Sequence, residues 1–274
     1  MNQDQSQKYK DSVAAYYSRR SADYDSSDWH VQIARKLVDF SNVQSGAHVL
    51  DICTGTGMVA LYAASKVGPN GSVLGVDISS GMLDQAIANA MAAGISNASF
   101  EMGDGENLGY APDSFDYIFC SSAFIWMTDL LAALLSWKEL LKPNGRLGFH
   151  AFSENAFVEG TVAQSVLSQY GVSYLMSKPT GTVEKCHALL EHAGYRNFRI
   201  EVDEAFAYIS LEKAKRAWVS ASRPAPGQYP HPLTELTPAQ LNAAQKQYEQ
   251  ELERRNTENG ILNDMTTFYV FGEK

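Results

Sequence analysis

Short apolar runs alternate with longer amphipathic segments over the first 152 residues, and this alternation predicts strands separated by helices. The predicted strands cover 49–52, 72–76, 98–102, 115–120 and 146–151. The predicted helices cover 8–40 with a break near 21–28, then 58–67, 80–94 and 129–141. A strand–helix repeat of this kind implies parallel strands joined by right-handed crossovers, so we expect an α/β fold.

The pattern changes after residue 152. Extended alternating stretches occur within 196–210 and 265–274, and they predict the last strands. The segments 153–195 and 211–264 do not follow the sheet pattern. The second of them contains a long helix, which Thr237 caps and which has Pro238 at its first position.

Composition narrows the class of protein. With 274 residues, 45% of them hydrophobic, the chain is long enough for one large domain or one domain with an inserted cap. The formal net charge of −9 disfavours a nucleic-acid-binding face, which would be basic. The N-terminus does not resemble a signal peptide and no apolar run is long enough to span a membrane, so we expect a cytoplasmic protein.

The three cysteines and six histidines show no spacing typical of a metal site. Cys53 and Cys120 each end a predicted strand, where a buried reduced thiol is the simplest interpretation. We therefore expect no metal.

The most informative motif joins the first predicted strand to the helix after it. Residues 49–57 read Val-Leu-Asp-Ile-Cys-Thr-Gly-Thr-Gly, and the second strand ends at Asp77, twenty residues after Gly57. This is how an open α/β sheet builds a nucleoside site at the carboxyl ends of its first strands. The spacing Gly55-x-Gly57-x-x-Ala60 also fits a dinucleotide fingerprint.

Asp51 decides between these ligands. A carboxylate four residues before Gly55 would repel the pyrophosphate of a dinucleotide, which binds at the helix N-terminus. S-adenosylmethionine has no phosphate but carries an ammonium, a sulfonium and a ribose diol. Asp51 near the ammonium and Asp77 on the ribose hydroxyls would suit this cofactor, and glycines would let the backbone approach it closely.

With these residues the chain resembles the class I S-adenosylmethionine-dependent methyltransferases. The resemblance is to the small-molecule branch, which includes ubiquinone/menaquinone-type C-methyltransferases and many natural-product methyltransferases. The family loop is acid-x-Gly-x-Gly-x-Gly, and this chain departs from it with Cys53 at the first glycine position. The resemblance covers essentially the whole chain and is strongest over 46–150.

The resemblance implies a Rossmann-like sheet of seven strands, mostly parallel with an antiparallel last strand, with helices on both faces. It also implies a helical cap over the substrate site. A single methyltransferase domain, 1–274, would then comprise four kinds of segment: an N-terminal helical lid (1–45), a cofactor-binding core (46–152), cap and substrate segments (153–195 and 211–264), and the last strands (196–210 and 265–274).

Several residues near the predicted strand ends are candidates for binding the cofactor. Asp77 could instead be a helix-capping acid, Asp104 a turn residue, and the two serines caps. The predicted cofactor-binding residues are Tyr16, Tyr24, Asp51, Cys53, Thr54, Gly55, Gly57, Asp77, Ile78, Met82, Gly103, Asp104, Gly105, Ser121 and Ser122.

The acceptor side is less defined by the sequence. His150, at the end of the fifth strand, could be a general base or could belong to a strand-end hydrogen-bond network. Tyr24 is a second catalytic candidate, with its ring face toward the sulfonium. The predicted substrate residues suit a flat, apolar or aromatic acceptor but could equally be core; they are Tyr17, Trp29, Phe124, Trp126, His150, Phe152 and Phe157.

The sequence thus predicts an enzyme that transfers a methyl group from S-adenosylmethionine to an N, O or C atom of a small, natural-product-like acceptor. A quinone-pathway C-methyltransferase is the alternative within this chemistry. An NAD-dependent oxidoreductase and a non-catalytic cofactor-binding module remain alternatives of other classes. The predicted partner is a small-molecule substrate rather than nucleic acid or membrane, and the chain would be a monomer or homodimer.

Overall fold

A computed structural model describes residues 1–26, 28–174, 177–220 and 222–274. The α-helices are α1 Gln3–Ser18, α2 Trp29–Ser41, α3 Met58–Val67, α4 Ser80–Ala93, α5 Leu130–Leu140, α6 Val158–Gln169, α7 Val183–His192, α8 Leu211–Arg216 and α9 Pro238–Arg255. The strands are β1 His48–Ile52, β2 Ser72–Asp77, β3 Ala98–Met102, β4 Phe115–Cys120, β5 Leu141–Phe152, β6 Arg196–Asp203, β7 Phe206–Ile209, β8 Ile261–Asp264 and β9 Thr267–Glu273.

The main sheet has seven strands in the order β3-β2-β1-β4-β5-β9-β6. The pairs among β1 to β5 are parallel, whereas β9 runs antiparallel to both β5 and β6. The predicted Rossmann-like sheet with an antiparallel last strand is therefore confirmed. Since β2 and β4 flank β1, the strand order reverses there, and a ligand crevice is expected beyond the carboxyl ends of these strands.

Helices cover both faces of this sheet, as predicted. Side chains alternate along β1, so Val49 packs toward α2 and α3 while Leu50 packs toward α5 and α7. Small and branched residues such as Ala63 pack on the face of the sheet that carries Val49, and Trp137 packs on the face that carries Leu50. Because both faces are buried, the central strands are almost entirely apolar.

A third hydrophobic cluster lies away from the sheet and unites α6, α8 and α9. Tyr248 and Leu252 of α9 pack there with Val162 and Val166 of α6, and all four are fully or almost fully buried. These helices belong to the two segments predicted as the cap. They form a core of their own beside the sheet.

The ranges predicted for the last strands were partly wrong. Residues 206–209 were assigned to them, but β7 pairs with β8 in a separate two-stranded ribbon. Ile209 and Ile261 of this ribbon are buried in the cap cluster, whereas Phe206 and Tyr208 face solvent. The alternating pattern therefore reports burial of one face, but not the sheet to which a strand belongs.

The fifth strand is longer than predicted. It begins at Leu141, and its register against β4 shifts around the expected turn at 143–145. Among the described residues, no helix has the length and apolarity needed to cross a membrane.

Candidate active site

The loop between β1 and α3 depends on residues with left-handed backbone. Gly57 has a φ of 86°, and a Cβ built there would lie 3.1–3.2 Å from Phe100 and Ala86, so the turn requires glycine. Cys53 also has a positive φ, 55°, a conformation that costs a non-glycine residue energy. Cys53 thus replaces the first glycine of the related loop but keeps the left-handed backbone conformation that a glycine can adopt there.

Asp77, at the end of β2, holds this loop and also lines a cavity. One carboxylate oxygen accepts the N–H of Gly55 at 2.9 Å, and the other accepts the N–H of Ser79 at 2.9 Å. Burial raises the pKa of Asp77, and these backbone hydrogen bonds oppose the rise. A carboxylate has about four acceptor positions, so hydroxyl groups of a ligand can still bind it.

Asp51 lies elsewhere than predicted. Its carboxylate is buried and accepts the Thr54 hydroxyl at 2.6 Å and the Ala60 N–H at 3.1 Å. Burial raises its pKa to about 7. Asp51 does not line either cavity described below, so its position supports the β1–α3 turn rather than direct contact with an ammonium group.

The first cavity has a volume of about 710 Å³ and opens where β1, β2, β3 and β4 end, under α1. The predicted cofactor residues that line it are Tyr24, Cys53, Gly55, Asp77, Ile78, Met82, Asp104, Gly105, Ser121 and Ser122.

Other predicted cofactor residues do not line this cavity. Tyr16 lies on α1 with its ring against Arg20. Thr54 and Gly57 shape the turn from behind, and Gly103 lies one residue before the lining segment. Their placement is wrong for direct contact because one side of a turn faces the ligand and the other faces the core.

The helix α1 supplies lining residues that the sequence analysis missed. Lys10 forms ion pairs with Asp104 at 2.7 Å and with Glu106 at 2.8 Å, across the cavity mouth. Tyr9 accepts the N–H of Gly227 at 2.8 Å and donates to the Trp126 carbonyl at 3.0 Å. The amphipathic pattern of α1 could have indicated a buried Tyr9, but nothing local distinguishes Lys10 from the other lysine of that helix.

A second cavity, of about 1140 Å³, adjoins the first and is largely walled by aromatic rings. Trp29 stacks on Phe152 with ring centroids 5.5 Å apart, and Phe157 meets Trp29 edge-on at 5.8 Å. The predicted substrate residues that line it are Tyr17, Trp29, Trp126, Phe152 and Phe157.

Four residues line both cavities: Tyr17, Tyr24, Ser122 and Trp126. The rings of Tyr17 and Trp126 are perpendicular, with centroids 5.7 Å apart. Burial raises the pKa of Tyr24 to about 12, so its phenol stays neutral over the physiological range. These four side chains form the junction between the cavities.

Phe124 is not at the junction, contrary to the prediction that it contacts substrate. It is 1% exposed and packs against Phe149 at 4.7 Å and Trp137 at 5.5 Å. The short 3₁₀ turn that follows β4 directs Phe124 into the core and presents Trp126 to the cavities.

His150 is also misplaced for the predicted role. It is 1% exposed, and its Nδ1 lies 2.9 Å from the hydroxyl of Ser122. Burial, together with the nearby His30, lowers its pKa to about 3. His150 lines neither cavity, which fits positioning of Ser122 better than proton transfer with a bound acceptor.

His30 reaches the acceptor side instead. It lines the second cavity, and its ring stacks on Tyr24 with centroids 4.6 Å apart. Burial lowers its pKa, so the ring is neutral at pH 7 and can accept a proton. Within the residues that the structure describes, no cluster of His, Cys, Asp or Glu is arranged to hold a metal ion.

Comparisons with known proteins agree with this geometry. A family profile described as "Methyltransferase domain" matches residues 43–194. Aklanonic acid methyltransferase DauC of a Streptomyces species is 35% identical over 159 residues, covering 57% of this chain and 71% of the relative.

Two further relatives match over shorter stretches. Nocamycin O-methyltransferase of Saccharothrix syringae is 33% identical over 48% of this chain, and demethylmenaquinone methyltransferase of Listeria welshimeri is 30% identical over 43%. The chain spans about half the length of each of these two relatives, 48% and 50%.

Solved structures share the fold at low identity. A putative methyltransferase from Bacillus halodurans superposes with a TM-score of 0.59 at 17% identity, over 89% of this chain and 99% of that one. Phosphoethanolamine N-methyltransferase 2 of Haemonchus contortus, in complex with phosphomonomethylethanolamine and S-adenosylhomocysteine, also has a TM-score of 0.59 at 17% identity, over 97% and 60% of the chains.

Proposed function

Because the chain belongs to the S-adenosylmethionine-dependent methyltransferase family, we propose that it transfers a methyl group from this cofactor to a small acceptor. The acceptor would be partly aromatic or apolar, with an N, O or C atom as the nucleophile. The cytoplasmic location and the oligomeric state, monomer or homodimer, stay predictions of the sequence.

One observation carries this proposal: the cavity at the strand ends, which holds Asp77, meets the cavity that bears Trp29, Phe152 and Phe157 at a shared set of four side chains. Methyl transfer is an in-line displacement, so the nucleophile and the leaving group must approach the methyl carbon from opposite sides. Two cavities that meet at one set of side chains can hold the two reactants on opposite sides of the methyl carbon, and such positioning is worth up to about 7–11 kcal/mol.

The residues of the first cavity fit the cofactor. Asp77 offers buried carboxylate oxygens to a ribose diol, and Ile78 and Met82 offer apolar surface to an adenine ring. When bound, S-adenosylmethionine supplies a methyl group activated by its sulfonium. Tyr17 and Tyr24 at the junction have rings that can stabilise positive charge through their faces.

A general base is needed only if the acceptor must lose a proton. His30 lines the second cavity, and its neutral ring can accept a proton from an acceptor bound there. His150, by contrast, is separated from the acceptor by Ser122. We therefore propose His30 in place of His150 as the proton acceptor for such substrates.

The quinone-pathway alternative is supported by one observation, the flat aromatic walls formed by Trp29, Phe152 and Phe157. Three of the matched relatives are named for different acceptors, aklanonic acid, nocamycin and demethylmenaquinone. The aromatic walls alone do not discriminate among these acceptors.

Titration calorimetry with S-adenosylhomocysteine, and with NAD as the parallel ligand, tests the proposal. We expect micromolar binding of S-adenosylhomocysteine and no binding of NAD. Binding of NAD alone would overturn the cofactor assignment and favour the oxidoreductase alternative. Binding of S-adenosylhomocysteine without methylation of any acceptor in a broad panel would favour a non-catalytic module.

A further inference from the structure

The acceptor cavity contains two arginines, Arg20 from the segment after α1 and Arg223 from the cap. They are the only lysine or arginine side chains among its described lining residues. They stand in a chain of net charge −9 and in a cavity that also bears the rings of Trp29, Phe152 and Phe157.

Neither arginine is paired with a carboxylate in the part of the chain that the structure describes. Arg20 donates to the Tyr16 hydroxyl at 3.2 Å, and its guanidinium lies 5.1–6.0 Å from the ring centroids of three tyrosines. These rings orient the guanidinium, but they do not neutralise its charge. Arg223 has no described side-chain partner at all.

Arg20 lies beside the junction between the cavities, since its guanidinium carbon is 6.0 Å from the ring centroid of Tyr17 and 5.8 Å from that of Tyr24. Arg223 lines the same cavity from the cap. Its charge lowers the pKa of Tyr17 against the upward effect of burial, and it acts in the same way on Tyr174. Both positive charges therefore face the acceptor cavity, and that of Arg20 is next to the junction.

One acidic residue, Glu159, also lines this cavity. It lies in the first turn of α6, where the helix dipole stabilises a negative charge, and its Oε2 is buried without a hydrogen-bond partner among the described residues. Two guanidinium groups and one carboxylate leave a single positive charge, since His30 is neutral at pH 7. A monoanion would balance this cavity.

We propose that the acceptor is an aromatic or polycyclic carboxylic acid whose carboxylate binds between Arg20 and Arg223. This inference rests on the proposed function, because it names the substrate class of the same site. A guanidinium presents a planar fork that matches a carboxylate, and charge-assisted hydrogen bonds of this kind are among the strongest that proteins make. The hydrocarbon of the acceptor would lie along Trp29, Phe152 and Phe157.

The test uses the full chain saturated with S-adenosylhomocysteine and a matched pair of probes. The probes are 2-naphthoate, which is ionised at neutral pH, and the neutral 2-naphthamide of similar shape. We expect 2-naphthoate to bind at least about tenfold more tightly, as titration calorimetry would show. The ratio of the affinity for 2-naphthoate to that for 2-naphthamide should fall at least about fivefold in Arg20→Gln and in Arg223→Gln. Arg20→Lys should recover part of this ratio.

Arg19→Gln is the matched control, because Arg19 is exposed, as Arg20 and Arg223 are, but lines neither cavity. This variant should keep the full preference. Equal binding of the two probes, absence of binding by both, or a preference that survives in the double variant Arg20→Gln/Arg223→Gln would overturn the carboxylate proposal.

Because the chain is first saturated with S-adenosylhomocysteine, failure of the carboxylate proposal can be distinguished from failure of the proposed function. If S-adenosylhomocysteine binds and the carboxylate preference is absent, the methyltransferase proposal stands and only the substrate class is wrong. If S-adenosylhomocysteine itself does not bind, both proposals are overturned.

Discussion

At the scale of single residues, two aspartates in similar sequence positions have different surroundings. Asp51 and Asp77 each lie at or near the end of a parallel strand. The carboxylate of Asp77 lines the cavity, whereas that of Asp51 is enclosed by Thr54 and the start of α3. We therefore assign ligand binding to the first and support of the turn to the second.

Replacing Asp77 should weaken binding of the cofactor product. Asp77→Ala removes acceptor oxygens for the ribose and leaves the N–H groups of Gly55 and Ser79 without a partner, at a cost of about 1.5–3 kcal/mol. We expect the dissociation constant of S-adenosylhomocysteine to rise at least about tenfold by calorimetry. Asp84→Ala is the control, because Asp84 is exposed on α4. If the affinity of Asp77→Ala for S-adenosylhomocysteine stayed within about threefold of wild type, Asp77 would not bind the ribose.

Asp51 should make stability depend on pH. Its pKa is about 7 in the folded protein against an ordinary value of 3.8, so between these values the folded chain keeps a proton that the unfolded chain has lost. The free energy of unfolding from this group therefore falls as pH rises from about 4 to about 7, by roughly 4 kcal/mol at most.

Asp51→Asn cannot titrate and should lose this dependence. Its free energy of unfolding relative to wild type should increase as pH rises from 5 to 7, and then level off. Urea unfolding of both proteins at several pH values measures the difference, with Asp84→Asn as a surface control. A difference that stays constant across this range would show that Asp51 is not held with a raised pKa.

At the scale of elements, α1 closes the first cavity through Lys10. The side chains of Lys10 and Glu106 are 18% and 12% exposed, so their ion pair is less screened by solvent than an ordinary surface pair. Glu106 also accepts the N–H groups of Thr128 and Asp129, at 2.8 and 3.0 Å, which ties the loop before α5 to the same cluster.

Breaking this contact should loosen the helix over the cavity. Lys10→Gln keeps the length of the side chain but removes its charge, and we expect S-adenosylhomocysteine to dissociate roughly five- to tenfold faster, a change of about 1 kcal/mol. Stopped-flow displacement measures this rate. Lys8→Gln breaks only an exposed pair with Asp4 on the same helix and should leave it unchanged. Equal rates in Lys10→Gln and wild type would exclude a closing role for the ion pairs.

At the scale of the whole molecule, Tyr9 links three parts that are far apart in sequence. Its hydroxyl joins α1 to the carbonyl of Trp126 after β4 and to the N–H of Gly227 in the cap. Tyr9 is 1% exposed, so these polar groups have no access to bulk water in the folded state. The lid, the core and the cap therefore meet at one buried hydroxyl.

Tyr9→Phe keeps the ring and removes that hydroxyl. Leaving a buried N–H and a carbonyl unpaired should lower the free energy of unfolding by about 1–3 kcal/mol, which urea denaturation would measure. Tyr16→Phe provides the control, since the hydrogen bond of its hydroxyl among the described residues is with Arg20 near the surface. If the two variants were equally stable, the link through Tyr9 would contribute nothing to holding the parts together.

The sequence by itself determined the sheet, the loop and the cofactor family. These follow from local regularities: the spacing of apolar residues reports burial on each face, and the pattern around Gly55 and Gly57 reports a tight turn. The antiparallel last strand came from the resemblance of the whole chain to a family. Each of these needs only neighbours in sequence or a known pattern.

Only the tertiary structure decided which side chains face the ligand. Asp51 and His150 lie two positions from a lining residue and Phe124 lies next to one, yet all three side chains are buried in the core. Lys10 and Arg223 reach the cavities from segments remote from the motif. Contacts between segments that are distant in sequence leave no local pattern, so these assignments required the packed molecule.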